Sequence, residues 1–224
     1  MQVAVDIVIF GYDGQNIKIM LVKRKGEPYH DKYALPGGLV RDTETLESCA
    51  RRTLLEKLSI DNLYIEQLGS FDAVNRDPRE RIISVAYFSI IRQDMLQTIL
   101  GRGVSDVIWE NIFDIPKIAF DHNEIIKEAI NRVQGKLAYE PIVFELLNKK
   151  FAMSEVQKIY ETFYNQQIDK RNFRKKILAL NILKISGNTD RAGRTPFMYS
   201  IDKKELSKIK NHQQLIELTN LWKK

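Results

Sequence analysis

The amino-acid sequence predicts an α+β fold divided into two domains. The 224 residues are long for one domain and suit two modest ones, and 44% apolar with 9% aromatic residues can fill two cores. β-Branched segments separated by turns dominate the first part of the chain, whereas capped amphipathic helices follow Glu140-Pro141. The expected domains are residues 1–137 and 138–224.

The charge is distributed unequally between these parts. Residues 1–135 carry 17 Lys and Arg against 20 Asp and Glu, a net charge of −3, whereas residues 136–224 carry 18 against 9, a net charge of +9. A basic segment joined to a mildly acidic one is typical of a polyanion-binding module fused to a different module. A solubilising surface would explain the same charge.

The first domain opens with a β-hairpin, because the turn at residues 11–14 separates two β-branched segments. Tyr33 to Gly38 ends in a tight turn. Asp121 and Glu124 form an N-cap and N3 pair that begins a helix. Strands are expected at residues 3–10, 17–22, 63–73 and 82–91, and helices at 45–58 and from 121 to about 133.

The second domain has the pattern of a winged helix-turn-helix. A short helix at residues 143–147 precedes a capping box, Ser154 to Gln157, which starts a helix through about Tyr164. After a turn, Asp169 can cap a third helix with an apolar inner face and a cationic outer face. Strands at 182–185 and 196–201 flank a polar hairpin tip, residues 186–194.

This layout places helix side chains on base edges and wing cations on phosphates. Arg and Lys favour guanine or phosphate, and Asn favours adenine, so Asn172 is the residue expected to read a base. The alternatives are a solvated cationic face and, for Asn172, support of the helix N-terminus. The DNA-binding candidates are Lys170, Arg171, Asn172, Arg174, Lys175, Arg191 and Arg194.

Several classes of protein are not expected. The sequence has no run of eighteen uncharged apolar residues, and Asp6 interrupts the apolar opening, which favours a soluble, cytoplasmic protein without a membrane segment. The single cysteine, Cys49, excludes an internal disulfide and a cysteine zinc cluster. The three histidines are widely separated, and no metal or cofactor is expected.

Residues 38–60 carry a degenerate metal-binding pattern. Positions 53, 56 and 57 share a helix face, where three carboxylates would form a Mg²⁺ site. This chain has Thr53, Glu56 and Lys57 there. The ammonium group would repel a cation and could pair with Glu56 instead, so no catalytic residue is expected.

These residues resemble the Nudix box, on which Gly38, Glu44, Arg52, Leu54, Glu56 and Ile60 fall in register, while Thr53, Lys57 and Ser59 depart from it. Together with residues 34–38, 75–79 and 169–175, the chain resembles the Nudix-related bacterial transcriptional regulators. The resemblance implies a Nudix-like α/β/α sandwich with a mixed sheet, fused to a C-terminal winged helix-turn-helix.

The resemblance further implies a homodimer, most simply a repressor, that binds a palindromic operator in double-stranded DNA and responds to a small effector. Some such regulators control NAD metabolism and sense ADP-ribose, whereas others control carbohydrate metabolism and sense a pentose sugar. Charged residues near the expected cleft could hold a pyrophosphate, or could be solvated or internally paired. The effector-binding candidates are Arg24, Arg41, Glu44, Glu56, Arg76, Asp77 and Arg79.

Two other functions remain open from the sequence. A divergent Nudix hydrolase of nucleotide diphosphate derivatives could use Glu44 and Glu56 with ligands from elsewhere. A non-catalytic scaffold could use its basic part to contact RNA or acidic proteins. The operator and the regulated genes are not encoded in any pattern of this chain.

Overall fold

The protein, represented by a computed structural model, is described at residues 1–96, 98–137, 140–187 and 197–208. It divides into two compact units. The first comprises Met1–Asp13 and Ile17–Arg132, and the second comprises Gly14–Asn16 and Val133–Lys224. Among the described residues, no helix is long and apolar enough to cross a membrane.

The first unit is built on a mixed seven-stranded sheet. Its longest pairing is parallel, between β1 and β6, while β1 is antiparallel to both β2 and β4. The predicted hairpin and the strand near residue 82 are confirmed, and β7, which pairs with β2, was not predicted. The strands are β1 (Gln2–Tyr12), β2 (Ile17–Arg24), β3 (Tyr33–Ala34), β4 (Gly37–Leu39), β5 (Glu66–Phe71), β6 (Ile82–Arg92) and β7 (Val104–Asn111).

Two helices pack against this sheet, α1 (Leu46–Leu58) and α2 (His122–Leu137). Val5, Ile7 and Ile9 of β1 belong to the same core cluster as the inner face of α1. Because successive strand residues face opposite sides, Asp6 faces away from that cluster, and its carboxylate lies beside His122 of α2. The sequence-based α+β fold class is confirmed.

Helix α2 continues past the predicted end near residue 133. Gly135 lies within it, although glycine costs roughly 1 kcal/mol relative to alanine in a helix interior. Val133 and Leu137 are fully buried, and their packing offsets this cost. The predicted stop at Gln134 was therefore wrong because tertiary burial outweighs the local propensity.

The ends of α1 are capped by two different devices. Thr45, which the sequence analysis placed inside the helix, is its N-cap and accepts a hydrogen bond from the backbone N–H of Ser48. At the other end Ser59 adopts a left-handed conformation with φ 54°, and its N–H donates to the last turn. The N–H of Gly101 also donates to the carbonyl oxygen of Lys57 at 2.8 Å. A Cβ at Gly101 would lie 2.0 Å from the carbonyl oxygen of Glu56, so this approach needs glycine.

The second unit contains a three-stranded sheet, in the order β8-β10-β9, and short helices. The short helix predicted at 143–147 is a 3₁₀ turn, Ile142–Leu146. The capping prediction at Ser154 was wrong: the N-cap is Ala152, two residues earlier, and Glu155 accepts from its N–H at 2.7 Å. The elements are β8 (Phe151–Ala152), α3 (Met153–Tyr164), α4 (Lys170–Ala179), β9 (Leu183–Gly187), β10 (Met198–Ile201) and α5 (Lys203–Lys208).

The left-handed backbone at Ser59 generates a stability prediction. Because glycine adopts this conformation without a Cβ penalty, Ser59→Gly is expected to raise the free energy of unfolding by about 1 kcal/mol. Ser154→Gly, on the exposed first turn of α3, is the matched control and should lower it by a few tenths of a kcal/mol. Urea denaturation measures both, and a destabilised Ser59→Gly protein would refute this explanation.

Candidate functional site: a cationic cleft in the first unit

The first unit contains a cleft of ≈ 230 Å³. It is lined by the loop between β3 and β4, by both helices and by the segment that precedes β6. Four of its lining residues are cationic and two are carboxylates, with one histidine. The lining residues are Ala4, Asp6, Arg24, Leu35, Gly37, Gly38, Leu39, Lys57, Arg76, Asp77, Arg79, Phe120 and His122.

A buried ionic network centred on Asp6 forms one wall of this cleft. The carboxylate accepts hydrogen bonds from Ser84 Oγ at 2.6 Å and from Arg76 Nη2 at 3.3 Å. Arg76 also donates twice to Asp121, at 2.7 and 2.9 Å. Burial alone would raise the pKa of Asp6, but His122, Ser84 and Arg76 outweigh it and hold that pKa well below its ordinary value.

The hydrogen bonds of His122 fix its tautomer. The backbone N–H of Leu35 donates to Nδ1 at 2.9 Å, so this nitrogen carries a lone pair. The proton of the neutral imidazole therefore resides on Nε2, which lies 3.4 Å from Asp6 Oδ1. Since Leu35 lies in the loop that lines the cleft, His122 links this loop to the buried carboxylate.

Arg76 and Arg79 are neutralised within the cleft wall. Arg76 has the two carboxylate partners described above. Arg79 donates to both oxygens of the buried Asp77, at 2.9 and 2.6 Å. These residues, placed near the cleft by the sequence, do line it, and their charges are internally balanced.

Arg24 and Lys57 have no such compensation. Arg24 donates to the backbone carbonyl oxygens of Pro28 at 2.9 Å and Gly26 at 3.4 Å. Within the described part of the chain, neither Arg24 nor Lys57 has a carboxylate oxygen within 4.0 Å. Burial, followed by the charge of Arg24, lowers the pKa of Lys57, and the charges of Asp6 and Glu56 only partly oppose this. Arg24 and Lys57 are thus the two cations of the cleft lining without a carboxylate partner.

Phe120 holds the cationic side chains at the cleft. Its ring lies 5.0 Å from the guanidinium carbon of Arg24 and 5.8 Å from that of Arg79, within the range of cation–π attraction. Phe120 itself has φ 56°, a left-handed conformation that is strained for a bulky residue. Strained residues of this kind cluster at ligand-binding sites.

The remaining effector candidates lie outside the cleft. Arg52 Nη2 pairs with Glu44 at 2.6 Å, and Glu56 pairs with Arg41 at 3.2 Å and Arg52 at 3.3 Å. None of these four residues lines the cleft. The structure therefore places Arg41 and Glu44, which precede α1, and Glu56, on α1, in a salt-bridge network outside the cleft lining, and their role as effector ligands stays a prediction.

Thr53, Glu56 and Lys57, which were expected to point toward one site, have different surroundings. Thr53 is 1% exposed and packs under Gly38, where an added Cβ would lie 2.6 Å from its Oγ1. Glu56 binds Arg41 and Arg52 instead of Lys57, so the suggested Glu56–Lys57 ion pair is wrong. Lys57 alone faces the cleft.

The donor set does not fit a divalent cation. The two glutamates that remain from the box are engaged by guanidinium groups, and the side chain that enters the cleft is an ammonium group. No cluster of three His, Cys, Asp or Glu side chains suited to a metal occurs in residues 1–96, 98–137, 140–187 and 197–208. A hard cation needs several oxygen ligands, which these contacts do not provide.

The second unit presents the predicted DNA-binding helix. Asp169 caps α4 by accepting from the N–H of Asn172 at 2.8 Å, and Phe173 and Ile177 are fully buried. Arg174 donates to the hydroxyl of Tyr199 at 3.0 Å, which ties α4 to β10. The candidate side chains on α4 are exposed: Lys170, Arg171, Asn172, Arg174 and Lys175. The wing candidates Arg191 and Arg194 lie outside the described residues.

Sequence reasoning missed three residues of the cleft. Asp6 was treated only as an interruption of an apolar strand, although a lone carboxylate in such a strand signals a buried partner. Lys57 was recognised as unfavourable for a cation and not as a possible ligand for an anion. Phe120 carries no local signal, because its conformation depends on tertiary contacts.

A Nudix-type sandwich with a cationic cleft, in a chain that also carries a helix-turn-helix, defines a ligand-responsive DNA-binding regulator. The Nudix domain model matches residues 1–129, and the NrtR DNA-binding winged helix domain model matches residues 143–201. The chain therefore belongs to the Nudix-related transcriptional regulators of the NrtR type, as the sequence predicts.

Two proteins from other organisms are similar to this chain in sequence. The ADPR responsive transcriptional repressor NtrR of Acinetobacter baylyi is 31% identical over 196 residues, which span 86% of this chain and 78% of the relative. The ADP-ribose pyrophosphatase of Methanocaldococcus jannaschii is 33% identical over 129 residues, 58% of this chain and 75% of that protein.

Two solved structures of Shewanella oneidensis NrtR are also similar. The complex with a 27mer DNA has a TM-score of 0.74 and 31% identity, covering 92% of this chain and 95% of that one. The NUDIX domain complexed with ADP ribose has a TM-score of 0.55 and 34% identity, covering 58% and 87%.

The Arg52–Glu44 pair generates a pH-dependent prediction. The hydrogen bond from Arg52 lowers the pKa of Glu44 from 4.5 to about 2. Burial opposes this shift, and a hydrogen bond from the backbone N–H of Arg41 adds to it. A carboxylate with a lowered folded pKa stabilises the fold above its ordinary pKa, and this stabilisation is lost as the pH falls toward 2.

Glu44→Gln should therefore destabilise the protein at neutral pH. The difference from the wild type in urea midpoint is expected to shrink as the pH falls from 4.5 toward 2. Urea titrations at several pH values measure this difference. A difference that stays constant over that range would contradict the assigned role of Glu44.

Proposed function

We propose that this regulator is a repressor whose Nudix domain binds ADP-ribose and whose DNA affinity falls when ADP-ribose is bound. The observation that supports this most strongly is the cleft with two surplus cations, Arg24 and Lys57. The diphosphate of ADP-ribose is a dianion and matches them, whereas a neutral pentose offers no charge to pair. The A. baylyi relative is ADPR responsive, and the S. oneidensis NUDIX domain has been solved with ADP ribose.

We further propose that the protein acts as a homodimer on a palindromic operator. A two-fold dimer would present two copies of α4 to successive major grooves about 34 Å apart. The exposed cations of α4 and the basic charge of residues 136–224 support this placement. The domain boundary is proposed between residues 137 and 138, at the end of α2. Cytoplasmic location follows from this role.

We also propose that the Nudix domain binds ADP-ribose without hydrolysing it. Support comes from Glu56, which is held by two arginines, and from Lys57, which replaces a carboxylate in the cleft. The similarity to an ADP-ribose pyrophosphatase favours the competing function, a divergent hydrolase. Incubation with ADP-ribose and Mg²⁺ or Mn²⁺ separates the two. Turnover that Glu56→Gln abolishes would establish the hydrolase.

The first functional prediction is that ADP-ribose dissociates the protein from its DNA. Fluorescence anisotropy of a labelled duplex from upstream of the gene should show specific binding that ADP-ribose reverses. Arabinose and ribose serve as matched neutral sugars and should leave the complex intact. Release by a pentose but not by ADP-ribose would show that the effector is a sugar.

The exposed cations of α4 generate a prediction about salt. If Lys175 neutralises a phosphate, Lys175→Gln should reduce the slope of log K against log [salt] by about 0.9 and weaken binding equally on all sequences. Asn172→Ala should instead relax the preference for one base pair, with a discrimination loss of about 1–3 kcal/mol.

Lys127→Gln, an exposed position of α2, is the control for the salt measurement. Its slope should equal that of the wild type. If single-stranded RNA competes better than duplex DNA, the DNA-binding assignment of α4 is wrong.

A further inference from the structure

Resting on the proposed effector class, we propose that Lys57 and Arg24 bind the diphosphate directly and that Lys57 supplies the charge that a metal ion would otherwise contribute. Effector binding is then independent of divalent cations. Four features of the cleft support this proposal.

The first feature is the charge balance inside the cleft. Arg76 is paired with Asp6 and Asp121, and Arg79 is paired with Asp77. Arg24 and Lys57 are therefore the two cations of the lining that have no carboxylate partner. A diphosphate diester carries two negative charges, so one ligand neutralises both.

The second feature is the mutual repulsion of these cations. Each is partly withdrawn from water, and the charge of Arg24 contributes to the lowered pKa of Lys57. Confining like charges in one cleft costs free energy. An anion that contacts both relieves this cost, which makes the free cleft a better receptor for phosphate than for a cation.

The third feature is the supply of unused donors. Arg24 uses Nε and Nη2 for backbone carbonyl oxygens, and its Nη1 has no partner within the described ranges. The Lys57 ammonium group likewise has none there, and it offers three N–H donors. Charge-assisted bonds from such donors to phosphate are among the strong hydrogen bonds in proteins.

The fourth feature is the orientation of the cations before a ligand arrives. Phe120 lies beneath the guanidinium group of Arg24, and the carbonyl oxygens of Pro28 and Gly26 fix its plane. Lys57 projects from the last turn of α1, whose end is capped by the N–H of Gly101. Little ordering of these elements is then required on binding, which favours affinity.

Calorimetry of the full chain with two probes tests this inference. ADP-ribose is titrated in EDTA and in Mg²⁺, and inorganic pyrophosphate is titrated in EDTA. The wild type should bind ADP-ribose with the same Kd in both buffers, to within about twofold. Lys57→Gln should weaken both ligands in EDTA by about tenfold or more, because it removes a charge-assisted contact.

The control is Lys127→Gln, which changes an exposed lysine on α2 and should bind like the wild type. Lys57→Arg keeps the charge and should retain most of the affinity. Thermal unfolding checks that each variant is folded. If Lys57→Gln does not fold, Arg24→Gln is measured in its place, with the same expected loss.

Two results would overturn the inference: ADP-ribose binding that requires Mg²⁺, or Lys57→Gln binding both probes like the wild type. A wild type that binds neither probe in EDTA would overturn it as well. If pyrophosphate binds in a Lys57-dependent manner while ADP-ribose does not bind, the cationic subsite stands and the proposed effector is wrong. This outcome distinguishes a wrong effector from a wrong assignment of Lys57 and Arg24 to the diphosphate.

Discussion

The cleft depends on a single buried carboxylate, that of Asp6 in the middle of β1. Its strand pairs with β6 along its whole length, and the residue is almost fully buried. An unpaired charge there would cost several kcal/mol, but Ser84 and Arg76 donate to it, and Nε2 of His122 lies 3.4 Å from it. These contacts link β6, the loop at residue 76 and α2 to one point. They also exclude a side chain at Gly37, where a Cβ would lie 2.1 Å from the carboxylate oxygen.

Around this anchor, ion pairing separates structural charges from those available for a ligand. Arg76 and Arg79 have carboxylate partners, and Arg52 of α1 is likewise paired with Glu44. Arg24 and Lys57 remain. The same substitution that removes a metal ligand at position 57 therefore adds a binding group for an anion. Under the proposed function, the cleft holds the diphosphate with its own side chains, without the metal ion that would act as a Lewis acid in hydrolysis.

The sequence predicted what is locally determined. The cap at Asp169 is a contact within one turn, and it formed as predicted. The fate of Glu56 could not be predicted in this way, because Arg41, fifteen residues away in sequence, competes for it. The same holds for Phe120, whose left-handed backbone is maintained by neighbours distant in the chain. Helix spacing placed the box side chains on one face, but the packing of Gly38 on that face decided which of them reaches the cleft.

The most direct test is a crystal structure of the protein with ADP-ribose, grown without divalent cations and then soaked in Mn²⁺. The account places the diphosphate oxygens at hydrogen-bond distance, about 3 Å, from Lys57 Nζ and the guanidinium group of Arg24. It also predicts no anomalous manganese signal in the cleft. A manganese peak bridging the diphosphate and Glu56, with Lys57 turned away, would contradict it.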